Sequence, residues 1–252
     1  MARRIGSTDG GRRPDELIVE EPLEIRLDDH LVATTMRTPG HDYELAVGFC
    51  FTDGLLAGAP VVGVRYCATG SAVDTEFNVV SVDSGGGAPE PTPRLGTTSS
   101  SCGLCGSVSI ESLTDRWAPV APVTIDPEVL VKVAARVRSE QQLFDATGGV
   151  HAAAAFDPAN GEPQVVREDI GRHNAVDKVV GRLLLDGRLP ATGAALWVSG
   201  RASFEMVQKA WAAGFGALVS VSAASSLAAE AARRAGMTLI GFSRDDAATL
   251  YE

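Results

Sequence analysis

Ala194-Ala195-Leu196-Trp197-Val198-Ser199-Gly200-Arg201-Ala202-Ser203-Phe204-Glu205-Met206-Val207-Gln208-Lys209-Ala210-Trp211 holds three patterns in order: an apolar run without alternation, a small polar loop, and Phe204, Val207 and Trp211 in helical register. A strand that is apolar at every position is buried on both faces, and a helix that follows directly covers one of them. The same unit recurs downstream, with a strand expected over Ala217 to Val221, a helix over Ser225 to Ala235 and a strand over Thr238 to Phe242. Upstream, a helix carries Val176, Val179, Val180, Leu183 and Leu184 on one face. Before it, the runs His151 to Phe156 and Gln164 to Arg167 flank the turn Asp157-Pro158-Ala159-Asn160-Gly161. This alternation predicts a layered α/β domain with a largely parallel sheet.

The N-terminal part has a different period. Leu17, Val19, Leu23, Ile25, Leu27, Leu31 and Ala33 alternate with polar neighbours, which predicts an antiparallel meander of two or three strands. A helix is expected from His41 to Leu56, then strands over Val61 to Tyr66 and Thr75 to Val82, and one helix from Asp126-Pro127 to about Leu143. The expected organisation is a disordered tail (1–15), a β-rich subdomain with one helix (16–83), a flexible linker with a cysteine loop (84–106) and the α/β domain (107–252). The fold class is therefore α/β, or α+β for the chain as a whole.

The chain has 252 residues, 45% of them hydrophobic, enough for a substantial core. A net charge of -10 argues against a broad nucleic-acid or anionic-membrane surface. No apolar run reaches the roughly 20 residues of a membrane helix, and no apolar core follows the basic N-terminus, so a cytoplasmic protein is expected.

Cys50 and Cys67 lie among apolar neighbours and read as buried small hydrophobes, whereas Cys102-Gly103-Leu104-Cys105-Gly106 follows five hydroxyl residues and reads as an exposed loop. A zinc knuckle lacks its second ligand pair, because His30, His41, His151 and His173 are scattered, so no metal site is expected. A redox couple would call for a strand before the first cysteine, and the hydroxyl-rich segment does not supply one. A sulfur carrier on a mobile arm fits the glycines and the linker best, with the zinc, redox and chance-pair readings still standing beside it.

A second block, Arg167 through Lys178, is dense in charge at a strand-to-helix junction. Arg172 and His173 at the helix start suit a phosphate, with Asp169 and Asp177 expected to orient them or bind a base edge. The competing reading is a capped helix in a solvated ion-pair network. Arg201, in the turn Ser199 to Ser203, is a third anion-binding candidate, and His151 reads either as a core histidine or as a group over a cleft.

At these residues the chain resembles the FdhD family of formate dehydrogenase accessory sulfurtransferases, from about Glu21 to Tyr251. The matching blocks are Thr38 to Ala46 with Gly48-Phe49, Ser101 to Gly106, Thr147 to Ala153, Arg167 to Lys178, Ser199 to Lys209 and Thr238 to Arg244. The resemblance implies an enzyme that takes sulfur from a cysteine desulfurase as a cysteine persulfide. It would pass that sulfur to the bis(molybdopterin guanine dinucleotide) form of the molybdenum cofactor, for formate dehydrogenase. By position Cys102 matches the persulfide cysteine, Cys105 its partner, and Phe242-Ser243-Arg244-Asp245-Asp246-Ala247 the cofactor-contacting stretch. Asp245 and Asp246 replace a glycine common there, so contact through backbone or guanine is expected in place of pyrophosphate. Together with Arg172, His173 and Arg201 these residues would hold the guanine dinucleotide ends. The resemblance further implies a cytidine-deaminase-like α/β domain without the deaminase zinc signature, a homodimer, and no cofactor of its own, with the molybdenum cofactor bound as substrate and guanine nucleotides as further ligands. The alternatives are a cofactor-binding chaperone that transfers no sulfur, or a zinc or redox Cys-x-x-Cys protein.

Overall fold

The computed structural model describes residues 2–3, 12–13, 15–67, 72–73, 75–91, 116–244 and 247–252. The expectations for the cysteine loop, for most of the N-terminal tail and for Asp245 and Asp246 fall outside these residues. The short strands β1 (Ala2–Arg3) and β2 (Arg12–Arg13) pair antiparallel.

Strands β3 (Glu21–Leu27), β4 (His30–Arg37), β5 (Gly63–Tyr66) and β6 (Val79–Asp83) form a four-stranded sheet in the order β4-β3-β6-β5. Helix α1 (Asp42–Thr52) covers one face. Leu23, Ile25 and Leu27 alternate inward and meet Leu45, Ala46 and Val47 of α1 with Val80 and Val82 of β6. The antiparallel pair expected within Leu17–Arg37 is present as β3 and β4, but the sheet they join is not a simple meander. β3 pairs antiparallel with β4 but parallel with β6, because α1 carries the chain across the sheet before β5 and β6 return it. Helix α1 stops at Thr52, one turn short of the expected Leu56.

The second sheet has six strands, β7 (His151–Phe156), β8 (Pro163–Asp169), β9 (Ala195–Val198), β10 (Ala217–Ser220), β11 (Thr238–Arg244) and β12 (Ala247–Tyr251), in the order β12-β11-β10-β9-β7-β8. Only β9, β10 and β11 run parallel, so the sheet is mixed and not largely parallel. The hairpins β7-β8 and β11-β12 add antiparallel pairs on both sides. β12 has no counterpart in the sequence reading, since Ala247 to Leu250 are exposed and carry no apolar face.

Helices α2 (Pro127–Ser139) and α3 (Gln142–Thr147) replace the single helix expected to Leu143. Asp126 caps α2 through Glu128 N, with Pro127 in the first turn. The break comes from a distant residue: the Glu168 carboxylate accepts from Leu143 N and Phe144 N, which starts a new helix there. Helices α4 (Arg172–Leu185), α5 (Phe204–Ala212) and α6 (Ser226–Ala235) pack on one face of the six-stranded sheet around Val176, Val179, Met206, Val207, Leu218 and Leu239. α2 covers the other face with Val129, Leu130, Val133 and Val137 over Phe156, Trp197 and Val219. Among the described residues no helix is long and apolar enough to cross a membrane.

The two sheets are joined where α1 crosses α4. A Cβ on Gly48 would stand 1.9 Å from Asp177 O, and one on Gly181 would stand 1.8 Å from Glu44 O, so the backbones touch. Glycine is required on both sides of that contact. Around it lies a buried polar layer. Arg37 binds the Asp42 carboxylate at 3.1 Å through two nitrogens, and Arg167 binds Glu44 at 2.5 and 2.9 Å. Lys209 Nζ donates to Asp177 at 2.8 and 2.9 Å and to Thr52 at 2.9 Å. Burial alone would lower the Lys209 ammonium, but Asp177 and Asp53 hold it above its ordinary value.

Candidate functional site

The charged block at 167–178 divides into two groups with different surroundings. Asp169 is fully buried, and its carboxylate accepts from Thr38 N, Gly171 N and Asn174 Nδ2 while pairing with Lys178 Nζ at 2.7 Å. Asp177 is 1% exposed and is engaged by Lys209 and Thr52. Both carboxylates are spent on protein partners in the core, which corrects the expectation of a base edge; of the other expectation, orienting the helix start, what is seen is Asp169 accepting from Gly171 N and Asn174 Nδ2. Their work is to lock the Thr38–Asp53 stretch onto α4, and they do it in the core, not in a solvated network.

Arg172 and His173 point elsewhere. They open α4 after Gly171, whose extended backbone forms the N-cap, and no acidic residue stands in the first turn to offset the positive end of the helix. A Cβ on Gly200 would meet Arg172 Cδ at 3.2 Å and His151 Cε1 at 3.8 Å, so this glycine lets the guanidinium stem and an imidazole share one place. Arg172 Nε is buried and has no hydrogen-bond partner. A buried donor left unpaired costs about 1–3 kcal/mol, which a bound anion would recover. His173 Nε2 donates to Glu205 Oε2 at 2.7 Å, since a carboxylate only accepts; this links α4 to α5.

His151 is half-buried at the start of β7, with Nδ1 3.1 Å from Ser199 Oγ, and the same oxygen accepts from Ala152 N at 2.9 Å. Burial pushes the His151 imidazole below its ordinary value, and Arg172 and His173 push the same way against a smaller opposing effect of Asp169. Its backbone sits in a core strand, while its ring reaches the loop after β9.

The loops at the carboxyl ends of β9, β10 and β11 are bonded in series. Ser220 Oγ donates to Gly200 O at 2.6 Å, Ala202 N to Ala223 O at 3.1 Å, Ser225 N to Ala202 O at 3.0 Å and Phe242 N to Ser222 O at 3.0 Å. This makes one rim running from Arg172 to Phe242, the position where open parallel strands collect ligands. On it Arg201 is exposed, Phe242 is 40% exposed with φ 50, Ser243 is 2% exposed, and Ala247 begins β12 in the open. Arg244 ends β11. Ser203, the N-cap of α5, makes no side-chain cap bond, and its Oγ is a second buried polar atom without a partner. The rim thus brings together Arg172, His173, Arg201 and Phe242 from sequence blocks as far apart as 167–178 and 238–244.

Glu205 was missed by the sequence reading because an acid in the first turn of a helix is ordinary, and only the fold sets it against His173. Cys50 and Cys67 are buried, as expected. Burial, with Asp53, Asp177 and Asp28 adding to it, pushes the Cys50 thiol far up.

Residues 18–252 match the model of the FdhD/NarQ family. The sulfur carrier protein FdhD of Streptomyces coelicolor is 49% identical over 249 residues, covering 95% of this chain and 88% of that protein. Its counterpart in Anaeromyxobacter dehalogenans is 44% identical over 100% of this chain and 91% of that protein. A crystal structure from Desulfotalea psychrophila, assigned as a formate dehydrogenase accessory protein, superposes with a TM-score of 0.73 at 26% identity, covering 94% of this chain and 89% of that one.

Proposed function

Since this chain belongs to the FdhD/NarQ family, we propose that it is a sulfur carrier serving formate dehydrogenase. In this reading Cys102, as thiolate, attacks the persulfide of a cysteine desulfurase and keeps the outer sulfur as its own persulfide. It then delivers that sulfur to the molybdenum cofactor, the substrate held at the rim, in a cytoplasmic homodimer. The observation that carries the reading is the partnerless, buried Arg172 Nε at the positive end of α4, a donor suited to an anionic, phosphate-bearing ligand.

The tethering of the cysteine loop supports it. Arg116, the first described residue after that loop, donates to Asp53 O at 3.2 Å, and Asp53 Oδ1 lies 3.5 Å from Lys209 Nζ. Lys209 stands one helical turn from Glu205, the partner of His173. From Arg116 back to Cys105 the chain has a contour of at most about 40 Å.

The test is incubation with a cysteine desulfurase and cysteine, followed by mass spectrometry. One added sulfur is expected on the parent and none on Cys102→Ser, since Cys50 is buried and protonated. Equal uptake by Cys102→Ser would refute the assignment, and a Cys102→Ser variant that still matures formate dehydrogenase in cells would leave a cofactor chaperone in its place.

A further inference from the structure

We infer that the exposed aromatic group Tyr43, Tyr66 and Phe77 is the surface on which the sulfur-receiving protein docks, through a cationic side chain set among apolar ones. The inference rests on the reading that this chain serves formate dehydrogenase and adds to it the place where that enzyme is met.

Tyr43 lies in the first turn of α1, Tyr66 ends β5 and Phe77 stands two residues before β6. The rings of Tyr43 and Tyr66 are 4.8 Å apart at 46°, and Phe77 meets Tyr66 edge-on at 5.3 Å and 89°. Although three parts of the chain hold the group together, Phe77 is 48% exposed and Tyr43 37%. Tyr66 is fixed by its hydroxyl, which donates to Asp42 Oδ2 at 3.2 Å, on a carboxylate already bound by Arg37. Phe77 is fixed by its backbone. Its N donates to Ala72 O at 2.9 Å, and Glu76 and Phe77 both take positive φ, 50 and 58. Bulky side chains rarely adopt that conformation, and here it holds an aromatic ring partly in solvent. Rigid exposed aromatics anchor protein–protein contacts, since covering them removes much area from water and little side-chain freedom.

The charge around the rings selects the partner. Arg37 answers two carboxylates, Asp42 and Glu21, with one charge, and the exposed Glu76 directly precedes Phe77. The face is therefore acidic as well as aromatic, which suits an arginine or lysine laid over a ring. A second copy of a chain with net charge -10 would bring the same acidic face and meet like charge. The location favours the recipient over the sulfur donor. Met36, 43% exposed, accepts through its carbonyl from Asn174 Nδ2 at 2.8 Å, two residues past Arg172. Thr38 N donates to Asp169 Oδ2 and Thr38 Oγ accepts from Ile170 N, just before α4 begins. From Thr38 to Tyr43 the chain has a contour of at most about 18 Å. An interface of standard size, about 800 Å² on each partner, is wide enough for the rings and the start of α4 together. A protein seated on the rings is then also at the rim, where the ligand would be handed over.

The experiment measures the affinity of the full chain for purified apo-formate dehydrogenase, with binding to and sulfur uptake from a cysteine desulfurase measured beside it. Tyr43→Ala and Phe77→Gly should each weaken the dehydrogenase complex at least about tenfold and leave the desulfurase readouts at parental values. Phe77→Gly also separates docking from folding: glycine accepts φ 58 without strain, so its melting temperature should hold while affinity falls. Glu76→Lys should weaken the complex and flatten its dependence on salt. Val131→Ala, an exposed apolar residue of α2 on the other domain face, should bind as the parent does. Parental affinity in Phe77→Gly and Tyr43→Ala overturns the inference. So does a loss confined to the desulfurase, which would give the face to the donor, or a change of oligomeric state in gel filtration, which would give it to a second copy. If the parent itself does not bind the dehydrogenase, the reading of the partner falls and this inference falls with it.

Discussion

Replacing Gly48 by alanine tests the contact that joins the two sheets. The new Cβ would lie 1.9 Å from Asp177 O, 2.7 Å from Asp177 C and 2.8 Å from Gly181 N, all backbone atoms that no rotamer change can move. Reaching an ordinary contact of about 3.4 Å requires α1 and α4 to part by about 1.5 Å, and overpacking of that kind typically costs 1–3 kcal/mol. The parting stretches the Thr52–Asp177 bond of 2.7 Å and, through Asp177, the Lys209 contacts. Weakening two such buried bonds adds about 2 kcal/mol. Alanine returns about 1 kcal/mol of helix propensity. The net loss is about 3 kcal/mol, which for a chain of this size lowers the melting temperature by roughly 6–12 °C. Gly181→Ala meets Glu44 O in the same crossing and should behave alike. The double variant should cost less than the sum, because helices parted once need not part again. Thermal melts followed by circular dichroism decide it, with Gly63→Ala as control, since its Cβ would find only Asp83 Cβ at 4.0 Å. A Gly48→Ala protein melting within about 2 °C of the parent refutes the argument.

Two further outcomes follow from the same structure. Burial alone would raise the Glu44 carboxyl, but Arg167 and His41 outweigh it and hold the pKa at about 2, against 4.5 unperturbed. A depressed acid stabilises the fold above its unfolded pKa and loses that contribution as pH falls toward the folded one. The parent should therefore lose up to about 3 kcal/mol between pH 4.5 and 2 on this account, and Glu44→Gln melts should show a visibly flatter acid limb. At the rim, Gly200→Ala pushes against the flexible Arg172 Cδ at 3.2 Å, so stability should change little. Sulfur delivery to apo-formate dehydrogenase should nonetheless fall at least about tenfold, as expected when binding groups are misplaced, with persulfide loading intact. Unchanged delivery would show that Arg172 need not sit where it does.

What the sequence made legible was local. Phe204, Val207 and Trp211 gave α5 its register, and the apolar runs at 195–198 and 217–220 gave buried parallel strands, because a 3.6-residue period and an unbroken apolar run depend on neighbours alone. The break between α2 and α3 was not legible, because its cause is Glu168, a residue 25 positions from Leu143. The parallel pairing of β3 with β6 is non-local in the same way. At the site, Arg167, Asp169, Arg172, His173 and Asp177 looked equivalent as a charged block. Whether a carboxylate there is spent or open depends on Thr38, 131 residues from Asp169, and on Thr52, 125 residues from Asp177. Glu205 carried no signal of its own, and nothing in the 199–203 turn marked Gly200 as the seat of Arg172.

The crossing of α1 and α4 also has a consequence for how the chain is made. Thr52 emerges from the ribosome 157 residues before Lys209, the partner that completes its buried layer. At about 5–20 residues per second that is an interval of roughly 8–30 s. During it the residues of the first sheet are out with Thr52 and Asp53 lacking Lys209. The N-terminal half is thus a waiting half, exposed to aggregation until the second sheet arrives. A nascent chain arrested before α5 should be protease-sensitive throughout, while one arrested well beyond α6 should be resistant over both halves at once.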